Sequence, residues 1–385
     1  MARALVATGR HELVAYTGHP ANVQSLQRWG LTANAIRDIE EILADPSLEA
    51  VIVASRPADR AAHLRRALQS EHHVLCVHPA DQSPDSAYEA ALIQGDTRRA
   101  LLPLLPEALH PAFARLAGFI QTEESVLGAF QLLQVERGSA DAIRTENGAG
   151  GHKLAIRGWD VVRFLGGEVA EIFACSTGEE FTPEKPLLLN GRFEQRGLFQ
   201  EIFLPGPEEA RWHVIVIGTY GRAELTFPEG WPGPACLVWR DQTGEAREER
   251  WETWNPWPAL VQIFETAVAH SAERTDAPTR QDTQAPLSWQ TAVRCLEIDD
   301  AARRSLERRR LSTLEYPAAT EEVGFKGTMT LVGCSLLWLS LLLLVLSAWI
   351  SWLKWTIVPL LVAFLMLQLL RWVVPSSRES ADERR

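Results

Sequence analysis

The sequence predicts an α/β domain with a parallel sheet, then a domain with a mostly antiparallel sheet, then two transmembrane helices. Three observations predict this order. Short, continuously apolar runs alternate with helix-like stretches up to about residue 122, and longer runs joined by Gly and Pro turns follow. Long charge-free stretches occupy the C-terminal part of the 385-residue chain. Continuous apolar runs are typical of strands that are covered on both faces of a parallel sheet.

Composition excludes several classes of function. Lys and Arg total 38 against 49 Asp and Glu, a formal charge of −11, which argues against nucleic acid as a partner. The five cysteines lie far apart without paired spacing, which indicates reduced thiols and no structural zinc. His72, His73, Cys76 and His78 are close in sequence, but His73 points to the opposite face of a strand. We therefore expect no metal site.

Four apolar runs predict the strands of the first domain, at 12–17, 50–55, 73–77 and 101–106. Helices are predicted between them, among them Pro57–Gln69 and a helix from Pro84 toward residue 93. Ligands of such sheets bind beyond the carboxyl ends of the strands, so functional residues are expected there. In the second domain a helix is predicted over 152–165, and two more, over 257–271 and 289–310, close it.

The C-terminal part predicts a membrane hairpin. No charged residue occurs from 327 to 353, and a second apolar stretch follows Lys354, so each stretch offers about the 20 residues that a spanning helix needs. Tryptophans cluster at the ends of both stretches, and basic residues flank the pair on both sides. These observations predict a multi-pass membrane protein with both termini in the cytoplasm, whose residues 327–374 contact the lipid bilayer. No signal sequence is evident at the N-terminus.

Three segments carry a resemblance to a known family. They are DIEEILADPSLEAVIVASRPADRAAHLRRALQSEHHVLCVHPA at 38–80, GGHKLAIRGWDVVRFLGGEVAEIFA at 150–174 and PLSWQTAVRCLEIDDAARRSLERRR at 286–310. In this order they resemble the Gfo/Idh/MocA oxidoreductases over residues 1–313. The resemblance implies NAD or NADP as cofactor and hydride transfer to or from a sugar- or polyol-like substrate.

The resemblance also divides the chain. Residues 1–122 read as a truncated, Rossmann-like NAD(P)-binding domain whose parallel sheet lacks its first strand, because Met1 aligns with the helix that follows that strand. Residues 123–316 read as the family's α+β domain with a mostly antiparallel sheet, through which we expect a homo-oligomer. The transmembrane hairpin at 327–374 and a polar tail at 375–385 complete the predicted fold class.

Several positions of the implied cofactor site depart from the family pattern. No G-x-G-x-x-G occurs in the sequence to cradle a pyrophosphate. Gly18 stands where an acidic residue usually binds the ribose, and it does not select between NAD and NADP. The resemblance implies further cofactor contacts at Ser55, Arg56 and Pro57, after the second apolar run of the implied domain, and at Pro79.

The implied catalytic positions are substituted as well. His78 stands where the family has a Lys, and it either shuttles protons or is an imidazole without a partner. Lys153 and Arg157 align with the usual Asp and His. Because Arg stays protonated, it is no general base, so these two cations either hold an anionic ligand or belong to a solvated helix face. A slip of one residue makes His152 the missing imidazole.

Two hypotheses of function therefore stay open. The first is a membrane-anchored NAD(P)-dependent oxidoreductase acting on a sugar- or polyol-like small molecule. The second is a catalytically inactive family member that acts as a membrane scaffold or metabolite sensor. The sequence leaves open whether the protein is an active enzyme, because the fold is shared by proteins of different function.

Overall fold

In the computed structural model, parallel sheets in the first part of the chain are followed by a large, mostly antiparallel sheet in the second part. The structure describes residues 1–18, 21–81, 83–121, 125–138, 143–148, 151–177, 185–205, 212–273 and 287–314. Residues 1–314 form one compact unit. The domain boundary predicted at 122 stays a prediction.

The first part alternates helices and strands, as the sequence predicts. In chain order they are α1 (Ala2–Ala7), β1 (Ala15–Tyr16), α2 (Ala21–Arg28), β2 (Asn34–Ala35), α3 (Ile39–Leu43), β3 (Ala50–Val53), α4 (Pro57–Gln69), β4 (His73–Val77), α5 (Pro84–Thr97), β5 (Leu101–Leu104) and, after a 3-10 turn at Glu107–Leu109, α6 (Pro111–Gln121).

The strands of the first part are all parallel to their neighbours. β3, β4 and β5 form one sheet in that order, and β1 pairs with β2 in a separate two-stranded sheet. No strand of the described residues joins the two sheets. Residues 73–76 of β4 are fully buried, as expected for a central strand. Pro103 lies in β5, at the edge of this sheet, where a missing backbone N–H is tolerated.

The second part contains the longer strands. Its elements are β6 (Phe130–Gly138), β7 (Ile143–Gly148), β8 (Gly151–Ile156), α7 (Trp159–Gly166), β9 (Val169–Ser176), β10 (Leu187–Phe193), β11 (Leu198–Leu204), β12 (Trp212–Gly218), β13 (Arg222–Phe227), β14 (Ala235–Arg240), β15 (Ala246–Trp251), α8 (Trp257–Glu273), α9 (Trp289–Arg308) and β16 (Ser312–Thr313).

Nine of these strands form one sheet in the order β15-β14-β13-β12-β6-β11-β10-β9-β16. Only β6 and β11 pair in parallel, so the predicted mostly antiparallel sheet is confirmed. Burial alternates along the strands. Aromatic side chains of the buried face contact two helices: Phe113 of α6 packs on Trp212 and Phe227, and Trp159 of α7 packs on Phe199. The other face is half-exposed. That it joins two copies of the chain stays a prediction.

The helix predicted over 152–165 is wrong in its first half. Residues 151–156 form β8, which pairs antiparallel with β7, and the helix α7 begins only at Trp159. Gly158 separates the two elements with a φ of +89°, a conformation that ends the strand and that side chains rarely adopt. Lys153 and Arg157, predicted to share a helix, therefore belong to a strand and to the turn that follows it.

The predicted membrane hairpin is also corrected. Residues 327–374 lie outside the described part of the chain, and no helix within that part is long and apolar enough to cross a bilayer. Even the 20-residue helix α9 carries charged side chains along its length. The fold that the structure supports is a Rossmann-like α/β domain followed by an antiparallel-sheet domain. The described residues do not support the predicted multi-pass membrane localisation, because none of their helices could span a bilayer.

Candidate functional site

The carboxyl ends of β3, β4 and β5 bring three polar residues together. Ser55 follows β3, His78 follows β4, and Glu107 opens the 3-10 turn after β5. Strands of a parallel sheet end at the same edge, which is where ligands of α/β proteins bind. The sequence predicted the first two residues at this edge and missed the third.

Arg60 ties two of these strand ends together. It lies in the first turns of α4, is 5% exposed, and donates from Nε and Nη2 to the carbonyl oxygen of Ser55, at 3.2 and 2.9 Å. Its Nη1 donates to the carbonyl oxygen of Pro79, at 2.5 Å. One guanidinium group thus fixes the spacing between the turn after β3 and the turn after β4.

His78 stands at the end of β4 in an electropositive setting. Its peptide bond to Pro79 is cis, and its Nδ1 is buried without a hydrogen-bond partner among the described residues. Burial, together with the charges of Arg60 and Arg157, lowers the pKa of His78 to about 3. The imidazole is therefore neutral at physiological pH, and its buried Nδ1 has no hydrogen-bond partner among the described residues.

Arg157 reaches this edge from the turn between β8 and α7. Its Nη2 donates to Oε1 of Glu107 at 2.8 Å. The Arg157 side chain is 39% exposed, whereas that of Glu107 is 6% exposed. The carboxylate is buried and the guanidinium is half open to solvent. We name this contact the open pair.

Asp160 lies behind the open pair at the start of α7. Its Oδ2 accepts the backbone N–H of Ala108 at 3.1 Å, which joins α7 to the 3-10 turn of Glu107. Burial raises the pKa of Asp160, and the charge of Glu107 raises it further. Asp160 Oδ1 and Glu107 Oε2 are both buried without a partner in the described part of the chain.

Arg137 and Glu201 form a second ion pair nearby, which we name the closed pair. The two side chains are 2% and 1% exposed, and Nη2 of Arg137 lies 3.1 Å from Oε1 of Glu201. The guanidinium also lies 4.1 Å from the ring centre of Trp212, a cation–π contact. Its Nη1 donates to the backbone carbonyl of Arg157 at 2.9 Å. The closed pair thus supports the turn that carries Arg157.

The residues proposed for the cofactor follow the ends of β1, β3 and β4. Gly18 comes two residues after β1 with a φ of +145°, a value that favours glycine. Pro57 is the first residue of α4, and Arg56 before it is exposed and paired with Asp59. The Ser55 hydroxyl lies 2.5 Å from Nδ1 of His63.

These residues lie at the strand ends where parallel sheets bind their ligands. Gly18 has no side chain, Ser55 lies two residues after β3, and Pro57 is the first residue of α4. The described residues include no glycine-rich turn between a strand and a helix, so they contain no pyrophosphate cradle of that kind. The cofactor assignments of Gly18, Ser55, Arg56, Pro57 and Pro79 stay predictions.

The remaining candidate residues from the sequence are Lys153 and the neighbours of His78 on and just before β4. Lys153 lies on β8 opposite Glu146, and its side chain is outside the described residues. His72 places its ring nitrogens 2.8 and 3.1 Å from two carbonyl oxygens, and His73 Nδ1 accepts the backbone N–H of Ala100. No group of three potential metal ligands occurs within the described ranges.

Sequence reasoning missed Arg60 and Glu107. Their positions in the sequence could have identified both, because each residue comes shortly after a strand of the parallel sheet, where ligand-binding residues concentrate. Glu107 is the first charged residue after the apolar run at 101–106. Its partner Arg157 lies 50 residues further along the chain, so the pairing itself was not readable.

Comparison with known proteins agrees with this architecture. Residues 2–96 match the oxidoreductase family with an NAD-binding Rossmann fold, GFO_IDH_MocA. The chain is also 25% identical over 143 residues to the uncharacterized oxidoreductase YrbE of Bacillus subtilis. That match covers 36% of this chain and 41% of the relative, less than half of its length.

Solved structures extend the likeness to both domains. Levoglucosan dehydrogenase in complex with NADH and levoglucosan is 14% identical, with a TM-score of 0.62 over 82% of this chain and 95% of that chain. The aldose-aldose oxidoreductase of Caulobacter crescentus is 14% identical, with a TM-score of 0.59 over 79% and 92%. The transcriptional regulator Gal80p of Kluyveromyces lactis is 14% identical, with a TM-score of 0.62 over 80% and 86%.

At these identities the structural matches show the fold alone, and that fold occurs in dehydrogenases and in a transcriptional regulator. The sequence match and the shared fold together support the predicted resemblance. The N-terminal part of this chain is similar to the Gfo/Idh/MocA oxidoreductases with an NAD-binding Rossmann fold.

Proposed function

We propose that this protein is an NAD(P)-binding oxidoreductase that acts on a sugar- or polyol-like hydroxyl at the carboxyl ends of β3, β4 and β5. The observation that carries the proposal is the convergence of His78, Arg157 and Glu107 at this edge. β3, β4 and His78 lie within residues 2–96, the segment that matches the NAD-binding oxidoreductase family. The bound nicotinamide would supply the hydride acceptor or donor.

The chain's own residues supply binding and proton handling. His78 is neutral, and its unpartnered Nδ1 would accept a hydrogen bond or a proton from the hydroxyl group of a bound substrate. Arg60 holds the turns after β3 and β4 at a fixed separation, so the residues proposed for the cofactor keep their distance from His78. Gly18 carries no carboxylate, so we expect NADH and NADPH to bind with similar affinity.

Titration of the full chain with NADH and NADPH tests the proposal. Energy transfer from tryptophan to bound nicotinamide supplies the readout, and saturation in the micromolar range is expected. A screen of sugars and polyols follows, with His78→Ala expected to abolish turnover and to leave NADH binding intact. His213→Ala, on the half-exposed face of the long sheet, is the matched control. A folded chain that binds neither nucleotide contradicts the proposal.

A catalytically inactive metabolite sensor is the second candidate. The observation that favours it is the pKa of His78, which burial lowers to about 3, because a base so weak is a poor proton acceptor. The fold is also that of a transcriptional regulator. Nucleotide binding without turnover of any sugar or polyol, and without an effect of His78→Ala, would favour the sensor over the enzyme.

A further inference from the structure

The guanidinium of Arg157 offers hydrogen-bond donors that the described protein does not use. Its Nη2 is bonded to Glu107, and no partner is seen for Nε or Nη1 among the described residues. The side chain is 39% exposed at the edge where ligands of parallel sheets bind. A planar guanidinium binds carboxylates through two parallel hydrogen bonds, a geometry that neutral hydroxyl groups do not match.

The groups around this guanidinium favour an anion. The positive charges of Arg60 from α4 and of Arg157 itself help to lower the pKa of His78, so His78 stays uncharged. Glu107 from the 3-10 turn offsets one positive charge. Asp160 from α7 is shifted toward its neutral form, because burial and the charge of Glu107 raise its pKa. Among these groups the positive charges outweigh the negative ones at the open edge.

We propose that Arg157 binds the carboxylate of an acidic sugar-like substrate, next to His78 and Arg60. This inference rests on the proposed function in treating the ligand as a substrate, whereas the binding of a carboxylate can be tested by itself. It narrows the substrate class from sugars and polyols in general to sugar acids. It also explains why a permanent cation stands where a general base is expected, since a cation that holds the ligand needs no proton exchange.

Calorimetry with D-glucuronate and D-glucose tests the proposal on the full chain. The two sugars share a ring and differ in one group, a carboxylate or a hydroxymethyl. We expect glucuronate to bind at least about tenfold more tightly than glucose, equivalent to one additional charged hydrogen-bonded contact. Equal affinities for the two sugars, or no binding of glucuronate to the folded chain, would overturn the inference.

Three variants locate the contact. Arg157→Gln removes the charge and is expected to abolish the preference for glucuronate. Arg115→Gln is the matched control, because the Arg115 side chain on α6 is 42% exposed, is paired with Glu249 of β15 and belongs to neither proposed site. Glu107→Gln removes the competing carboxylate, so glucuronate should bind several-fold more tightly.

The Glu107→Gln variant separates ligand binding from a structural role. If Arg157 only supported the fold, loss of its partner would leave glucuronate binding unchanged or weaken it, and this result would overturn the inference. Circular dichroism checks that each variant is folded, and Arg157→Lys, which keeps the charge, replaces Arg157→Gln if the latter is not. Arg157→Lys should retain part of the preference, because a lysine binds carboxylates without the bidentate geometry.

The NADH titration distinguishes this inference from the proposed function. NADH binding without a preference for glucuronate would overturn the inference and leave the proposed function standing. A preference for glucuronate that depends on Arg157, in a chain that binds neither nucleotide, would support the carboxylate site and contradict the proposed function.

Discussion

The open pair and the closed pair are built from the same two residue types and differ in what surrounds them. Arg137 and Glu201 are almost fully buried, and the guanidinium packs on Trp212 and donates to a backbone carbonyl. Arg157 and Glu107 leave the guanidinium half-exposed. A buried arginine whose donors are used by the protein supports the fold. An arginine with unused donors at a strand edge is available to a ligand.

Breaking the closed pair should have the largest effect on stability. Arg137→Met leaves the buried Glu201 carboxylate without its partner, and we expect the free energy of unfolding to fall by about 3–5 kcal/mol. Urea denaturation followed by circular dichroism measures it. Arg137→Met combined with Glu201→Gln should recover part of the loss. A loss below about 1 kcal/mol would show that the closed pair is not a main support of the fold.

The turn that connects the two pairs should be the next most sensitive position. Gly158 has a φ of +89°, and an added Cβ would lie 2.2 Å from Nη2 of Arg137. We expect Gly158→Ala to cost about 2–3 kcal/mol, from backbone strain and displacement of the guanidinium. Gly244 has a φ of +79° and no atom within 4 Å of an added Cβ, so Gly244→Ala measures the cost of backbone strain alone. Equal losses in Gly158→Ala and Gly244→Ala would contradict a role for the contact with Arg137.

The free energy of unfolding should also depend on pH through Asp299, which lies next to the turn of Arg157. Asp299 accepts the N–H of Ile156, just before the turn of Arg157, and burial raises its pKa to about 6. The folded chain therefore binds this proton more tightly than the unfolded chain does. The stability that this proton contributes is present at pH 4 and is lost as the pH rises through about 6.

Removing the carboxyl group of Asp299 should make the free energy of unfolding depend less on pH. In Asp299→Asn, the slope of unfolding free energy against pH between 4 and 6 should become less negative by up to about 1.4 kcal/mol per pH unit. Urea denaturation at several pH values gives the slope. Identical slopes in the two proteins would mean that the pKa of Asp299 is the same in the folded and unfolded chains.

Breaking the open pair should have the smallest effect on stability. Arg157→Gln removes a half-exposed partner but leaves the buried Glu107 carboxylate without its ion pair, so we expect a loss of about 1–2 kcal/mol in unfolding free energy. Thermal and urea denaturation beside Arg137→Met provide the comparison. A loss as large as that of Arg137→Met would place both arginines in the same structural role and remove the distinction between the pairs.

Local elements were predicted best where sequence pattern and tertiary environment agree. The strand at His73–Val77 and the helix Pro57–Gln69 were predicted with their observed bounds, because continuous apolar residues and a proline at the first helical position mark them. Residues 152–156 were predicted as helix and belong to β8 instead. Their state depends on pairing with β7, which a local pattern does not contain.

The candidate site was predictable in position and less so in composition. Ser55 and His78 follow β3 and β4, as the sequence predicts, because the topology brings these strand ends to one edge, and their roles stay predictions. Glu107 and Arg60 were missed because charged residues are usually exposed, and their burial depends on partners elsewhere in the chain. The hairpin prediction rested on hydropathy over residues that the structure does not describe, and no described helix supports it.

The contacts of Arg60 have a consequence for anyone who redesigns this protein. Its guanidinium joins the turn after β3 to the turn after β4, so the two turns cannot be exchanged independently without losing hydrogen bonds to buried carbonyl groups. Residues 54–60 and 78–80 should therefore be replaced together. A library of variants that changes one of the two turns should keep Arg60 and the backbone of the other turn, or take both turns from the same related protein.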